Sequence, residues 1–278
     1  MNAKTPVRES LATGFRNVDT SGDTDACSRC LDLIAGIPFF NEIKRDSIRI
    51  IADVGPTRVL DAGCGAGVDL VTLASCLPDR CGIVGLDASS SLLARARERT
   101  AGIRGRCSLV KGDILNTPFR DRTFNACRID RVLQHIHEPE RAIGDLARTL
   151  APGGTLVAFD NDWDTFSISL DDQEIADRIR RSWCDSFASG RVGKDLPRMF
   201  STCGLAGIQC EQRTLVLRDL PLAEQVFDLP HLIGRLGRAG ILSEKEIALV
   251  RDELAGKARL GTFTSGYTGY LVSGIRPE

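Results

Sequence analysis

The sequence predicts an α/β protein built on an open, mostly parallel sheet with helices on both faces. Three observations carry this reading. Val59 and Leu60 are an apolar, β-prone start that ends at Asp61; Gly63, Gly65 and Gly67 follow at alternate positions, and a helical pattern then runs through Val68, Val71, Leu73, Ala74 and Leu77 to Pro78. A second apolar run, Ile83, Val84 and Leu86, ends in Asp87 and gives way to a helical stretch over 89–100. A later run, Ala126 to Ile129, is followed by a helix that opens at Pro139. Strands alternating with helices of this length favour parallel pairing.

In chain order, residues 1–25 are polar, with a turn-like Ser21-Gly22-Asp23 cluster. Residues 27–34 and 41–54 read as helices, the second with Ile43, Ile48, Ile50 and Ile51 as its core side. The glycine turn after Asp61 suits close approach of a ligand to the backbone. Its spacing is G-x-G-x-G, with Val68 where a dinucleotide fingerprint carries its third glycine, and an acid stands before it. An acid there favours a cationic or hydrogen-bond-donating ligand over a phosphate. Asp87, at the carboxyl end of the second strand, can accept both hydroxyls of a ribose or cap the following helix. A third strand starting at Cys107 ends in Asp113. The helix after Pro139 shows Ala142, Ile143, Leu146, Ala147 and Leu150 as its apolar face, and Ala151-Pro-Gly-Gly154 stops it. Leu156 to Phe159 make the fifth strand, followed by Asp160-Asn-Asp-Trp-Asp164.

Beyond 164 the alternation weakens. Residues 171–188 are amphipathic, with Ile175, Ile179, Trp183 and Phe187 on one face; 196–203, 222–238 and 243–260 read as further helices, and 214–217 and 270–273 as strands.

Asp61-Ala-Gly-Cys-Gly-Ala-Gly67, Gly82-Ile-Val-Gly-Leu-Asp87-Ala88, Gly112-Asp113-Ile114 and the His135-x-x-x-Pro139 to Pro-Gly-Gly154 segment together resemble the class I S-adenosylmethionine-dependent methyltransferases, and among them the quinone-biosynthesis and other small-molecule enzymes. The resemblance covers 57–160 well and the remainder loosely. It implies a Rossmann-like, doubly wound, seven-stranded sheet, mostly parallel with an antiparallel last strand. It implies S-adenosyl-L-methionine as cofactor and S-adenosyl-L-homocysteine as product. Asp61, Gly63, Gly65, Gly67, Asp87 and Ala88 match its cofactor positions, Asp113 and Ile114 its adenine positions, and Arg131 could hold the cofactor carboxylate. A leading segment in such enzymes folds over the pocket, which would bring Phe15, Asn17 and Asp19 to its lining. The domain expectation is a helical cap over 1–56, a core over 57–221 and 261–278, and a helical lid over 222–260.

Composition narrows the classes. The chain has 278 residues, is 42% hydrophobic and 26% charged, and carries a formal net charge of -1, so it lacks the basic excess that nucleic acid requires. It has no long apolar run and no apolar signal core near Met1, and is expected to be soluble and cytoplasmic, with no membrane partner. The ten cysteines are scattered, and the sharpest pair, Cys27 and Cys30, lacks the second pair or histidines that zinc would need. Reduced, structural thiols and no metal are expected. Oligomeric state is not set by the sequence, and a homodimer is compatible with it.

A sulfonium cofactor carries an already activated methyl group, so the protein's task is to align the acceptor and exclude water, worth ~7 kcal/mol or more in favourable cases. Candidate catalytic groups are His135, just past the fourth strand, and Asp160 and Asp162, beyond the fifth. His135 and His137 also have ordinary structural uses, and the two acids could be plain loop residues. Trp163 and Phe166 could stack on a flat ring or sit in the core, and His231 and Tyr267 are further candidates for substrate contact. The reading is a methyltransferase of a small organic acceptor in specialised metabolism. A non-methylating reaction on the same fold, such as a cyclisation, a nicotinamide oxidoreductase and a non-catalytic binding module remain as alternatives.

Overall fold

The structure, a computed structural model, describes residues 18–19 and 32–278. Its first labelled helix, α1 (Pro38–Asp53), starts with proline in the first turn, where the missing N–H costs nothing. It buries Phe40, Ile43, Ser47, Ile48 and Ile51, so the polar Ser47 sits on the core face while Ile50 stays at its margin. The core then follows as β1 (Arg58–Ala62), α2 (Val68–Cys76), β2 (Gly82–Asp87), α3 (Ser90–Arg99), β3 (Cys107–Lys111), β4 (Phe124–Asp130), α4 (Pro139–Thr149) and β5 (Leu150–Ile168). After these come α5 (Gln173–Cys184), α6 (Val192–Thr202), β6 (Ala206–Leu217), α7 (Leu220–Val226), α8 (Leu229–Arg238), α9 (Glu244–Leu260) and β7 (Ser265–Ile275).

The seven strands form one sheet in the order β3-β2-β1-β4-β5-β7-β6. β1 to β5 are mutually parallel, and β7 runs antiparallel to both β5 and β6. The expected sheet, with its antiparallel last strand, is therefore the observed one. Strand order reverses between β1 and β4, which opens a crevice at their carboxyl ends. On one face Ile43, Ile51, Leu70, Leu73 and Leu93 pack on Val59, Ile83, Val157 and Leu271. On the other, Ile143, Leu146, Leu196 and Phe200 cover Leu60, Leu86, Ile129 and Leu156. A third apolar cluster joins α5 and α7 to α9 with the far end of β5 through Trp163, Phe166, Trp183, Phe227 and Leu232.

Three elements differ from the expectation. β5 is 19 residues long rather than ending at Phe159, because its second half pairs with β7 through Asp162 and again at Ser167 and Ile168. β6 starts at Ala206, well before the apolar 214–217; it is an edge strand, exposed on most positions, so hydrophobic alternation is weak there. The single helix expected over 222–238 is two. Pro230 cannot donate to a preceding turn, so α7 stops at Val226, Asp228 turns the chain at φ 48°, and α8 restarts with the proline in its first turn. No described helix is long and apolar enough to cross a membrane.

Candidate active site

A cavity of about 390 Å³ lies at the carboxyl ends of the central strands. The glycine turn forms one wall. Gly63, Gly65 and Gly67 all have positive φ. A Cβ on Gly63 would lie 2.3 Å from the Val132 side chain, and one on Gly67 3.0 Å from Ala96, so these two permit the close contact of the turn with β4's exit and with α3. Gly63 and Gly65 line the cavity; Gly67 sits behind it, at the start of α2.

Asp87 and Ala88 line the cavity at the end of β2. The Asp87 carboxylate accepts from the Gly65 and Ser89 backbone N–H groups, each at 2.8 Å, while burial raises its pKa. It therefore clamps the turn and caps no more than the Ser89 corner. The cap of α3 is Ser89 itself, supported by Asp19 of the leading segment. Asp19 accepts from the Ser89 hydroxyl at 2.6 Å and from the Ser90 N–H at 2.8 Å, and hydrogen bonds from Ser89 and Ser91 hold its pKa well below the usual carboxylate range. Asp19 lines the cavity as expected. Phe15, Asn17, Cys27 and Cys30 lie outside the described residues. Asp113 and Ile114 line the cavity after β3, Asp113 exposed at its lip and Ile114 buried.

Asp61 departs from its expected place. It is buried, does not line the cavity, and faces Arg128 across the β1–β4 pair. Arg128, 2% exposed, reaches Asp61 at 3.1 Å, Asp69 at 2.9 Å, Asp130 at 2.6 Å and the Ser47 hydroxyl at 3.0 Å. Burial pushes Asp61 up to about 6 against the pull of that guanidinium. Burial also opposes ionisation of Asp130, but Arg131 and then Arg128 prevail and hold it down to about 2. The acid that meets the cavity from this network is Asp130, beside Arg131 at 3.0 Å. Arg131 lines the cavity with φ 55°, its guanidinium 4.7 Å from the centre of the Phe40 ring. Sequence reasoning missed Arg128 and Asp130; an arginine inside the apolar run Ala126-Cys-Arg-Ile129 was the signal for a buried cation and its partners.

The remaining wall is aromatic. Trp163 stacks on Phe187 at 4.9 Å, with Tyr267 at 4.4 Å and Trp183 at 5.5 Å between ring centres. All four line the cavity, as does His135, 5.7 Å from Phe187. Burial raises the Tyr267 phenol, so it stays protonated at neutral pH. Because Asp160 to Asp164 belong to a strand and not a loop, side chains alternate: Asn161 and Trp163 meet the cavity, and Asp160 and Asp162 do not. Asp160 is fully buried, accepts from the Gln134 and Asn161 N–H groups, and is pushed up to about 7 by burial. Asp162 lies 3.7 Å from Lys194. Phe166 is buried in the third apolar cluster, His137 is exposed, and His231 in α8 is not among the lining residues. Gln134, also missed, has no local signal in the sequence. It joins His135, Asn161 and Trp163, a contact set that only the return of β5 creates. Among the described residues, no three His, Cys, Asp or Glu side chains cluster as metal ligands would, and the described cysteines are free.

Residues 59–154 match the family model described as a methyltransferase domain. An uncharacterised 37.1 kDa protein of a Streptomyces fradiae transposon is 36% identical over 171 residues, 61% of this chain and 49% of that one. A demethylmenaquinone methyltransferase of Staphylococcus aureus is 28% identical over 144 residues, 51% of this chain and 59% of that one. The chain thus spans about half to three fifths of the length of these relatives. The structure of a Haemonchus contortus phosphoethanolamine N-methyltransferase in complex with S-adenosyl-L-methionine superposes with a TM-score of 0.57 at 17% identity, covering 97% of this chain and 60% of that one.

Proposed function

We propose that the chain is a class I S-adenosylmethionine-dependent methyltransferase that transfers the methyl group to a small, flat, uncharged acceptor held in the aromatic half of the cavity. One observation carries the reading: the glycine turn, Asp87 and Arg131 share a continuous cavity with Trp163, Trp183, Phe187 and Tyr267. Such a cavity has a polar end suited to a nucleoside and an amino-acid group, and an apolar end suited to a ring. The residues fit the cofactor. Asp87 offers carboxylate oxygens for ribose hydroxyls, Asp113 and Ile114 an acceptor and an apolar surface for adenine, and the Asp130–Arg131 pair one charge of each sign for the ammonium and carboxylate. The glycine turn brings its backbone close, and Asp61 acts behind it by holding Arg128.

When bound, the cofactor supplies an electrophilic methyl on a sulfonium. The chain's own residues orient the acceptor, through Trp163, Phe187 and the His135 ring against its faces, and keep water away. Helices α7 to α9 lie over the aromatic end, contributing Val226 to the lining, and act as a lid. Asp160 and Asp162 support this wall from behind, and no part of the reaction is assigned to them.

Calorimetry with S-adenosylmethionine, S-adenosylhomocysteine and NADH tests the cofactor. Both sulfur compounds are expected to bind, NADH is not, and Asp87→Ala should weaken binding ~10- to 100-fold, as loss of charge-assisted hydrogen bonds does. Binding of NADH alone would overturn the reading. Methyl transfer from labelled cofactor to a panel of phenols, quinols and amines then tests the acceptor class; a preference for charged amines would count against an uncharged ring.

A further inference from the structure

The hydrogen bonds around Gln134 determine more than its own position. Its Oε1 lies 2.7 Å from Trp163 Nε1 and 3.0 Å from Asn161 Nδ2. Indole nitrogen only donates, so the atom it meets accepts. Its Nε2 lies 3.3 Å from the Arg131 carbonyl oxygen, which only accepts, so that atom donates. Two groups of fixed polarity on different elements thus give the amide the same orientation. The same Nε2 lies 3.1 Å from His135 Nε2. An amide N–H facing a ring nitrogen requires a lone pair there.

We propose that Gln134 is a positioning residue that holds His135 as its neutral Nδ1–H tautomer. The chain of determination runs from the Trp163 N–H and the Arg131 carbonyl, through Gln134, to the imidazole. The proposal rests on the methyltransferase reading for its consequence: His135 faces the cavity as an uncharged ring, with its Nε2 lone pair already engaged by Gln134 and not open to take a proton from the acceptor. It fits the rest of the wall. Asn161, Trp163, Trp183, Phe187 and Tyr267 are neutral, and the charged groups of the lining near β4 are Asp130 and Arg131, which pair with each other. Fixing the tautomer matters because the other nitrogen's proton is set by the bond the first one makes.

The test is the tautomer itself. With three histidines in the chain, long-range ¹⁵N–¹H correlation spectra of ¹⁵N-labelled protein resolve each ring. His135 is expected to show a protonated Nδ1 and an unprotonated Nε2. In Gln134→Glu the carboxylate accepts from Nε2–H, and the pattern should reverse. In Trp163→Phe the indole donor is lost but the Arg131 carbonyl still fixes the amide, so the Nδ1–H pattern should persist. Should Gln134→Glu fail to fold, Gln134→Met removes the amide and should also give averaged signals. An Nε2–H tautomer in the wild type overturns the proposal, as does an unchanged spectrum in any folded Gln134 variant. Calorimetry on the same samples separates the two readings: absent cofactor binding defeats the proposed function and leaves the tautomer result intact.

Discussion

Asp61 and Arg128 are direct neighbours across the parallel β1–β4 pair, and their side chains meet at 3.1 Å in the interior. The residue that by its place before the glycine turn looks like a ligand group is instead a counter-ion to a buried strand arginine. With Asp69, Asp130, Lys44 and Arg131 the pair forms a network of three acids and three bases beneath the cavity. Such a network sets position more than it adds stability, because desolvation offsets much of the attraction.

Removing its centre is costly. Arg128→Met should destabilise the fold by about 3–5 kcal/mol, since three carboxylates lose a buried partner. Adding Asp61→Asn to that variant should recover part of the loss. Urea unfolding measures both, and a loss no larger than that of a surface substitution would contradict the network's role.

Asp160 makes stability depend on pH. Unfolded, it releases its proton near the ordinary value of about 4; folded, only near about 7. Between these values the native state binds the extra proton, so stability falls as pH rises through the window. The expected decline is on the order of 2–4 kcal/mol. Asp160→Asn should flatten it, leaving the smaller slope of the same sign from Asp61, as read by urea midpoints at pH 5 and pH 8.

Gly63 combines φ 75° with a Cβ position 2.3 Å from Val132. Gly63→Ala should cost about 1–3 kcal/mol and lower cofactor affinity. Pairing it with Val132→Ala relieves the clash but not the backbone strain, so the melting temperature should return only partway.

Phe227 closes the helical region onto the aromatic wall, fully buried and 5.1 Å from Phe166 and 6.1 Å from Tyr267 between ring centres. Phe227→Ala should destabilise by about 3–5 kcal/mol. If α7 to α9 act as a lid, acceptor KM should rise in that variant while cofactor affinity, measured by calorimetry, changes little.

Much of this was legible in one dimension. The alternation of apolar strands and amphipathic helices over 57–160, the glycine turn, and the acids at the ends of β2 and β3 are local features, written in consecutive residues by periodicity and backbone chirality. Asp87, Asp113, Ile114 and Arg131 reach the cavity for that reason: each follows a strand whose end the sequence marks. Residue types such as Trp163 and Tyr267 were also visible as candidates. What only the tertiary structure decided were the facts that depend on pairing between distant segments. The register of β1 against β4 made Asp61 a partner of Arg128; the pairing of β5 with β7 lengthened the strand and, through its two-residue alternation, turned Asn161 and Trp163 inward and Asp160 and Asp162 away. The Trp163–Gln134–His135 contacts join residues 29 apart at their outer hydrogen bond, and no local pattern encodes which nitrogen of an imidazole must accept. The sequence determined which chemistry was available, because side-chain type and local conformation are properties of neighbouring residues. The packed sheet decided which of those groups face the cavity, because facing is a property of register.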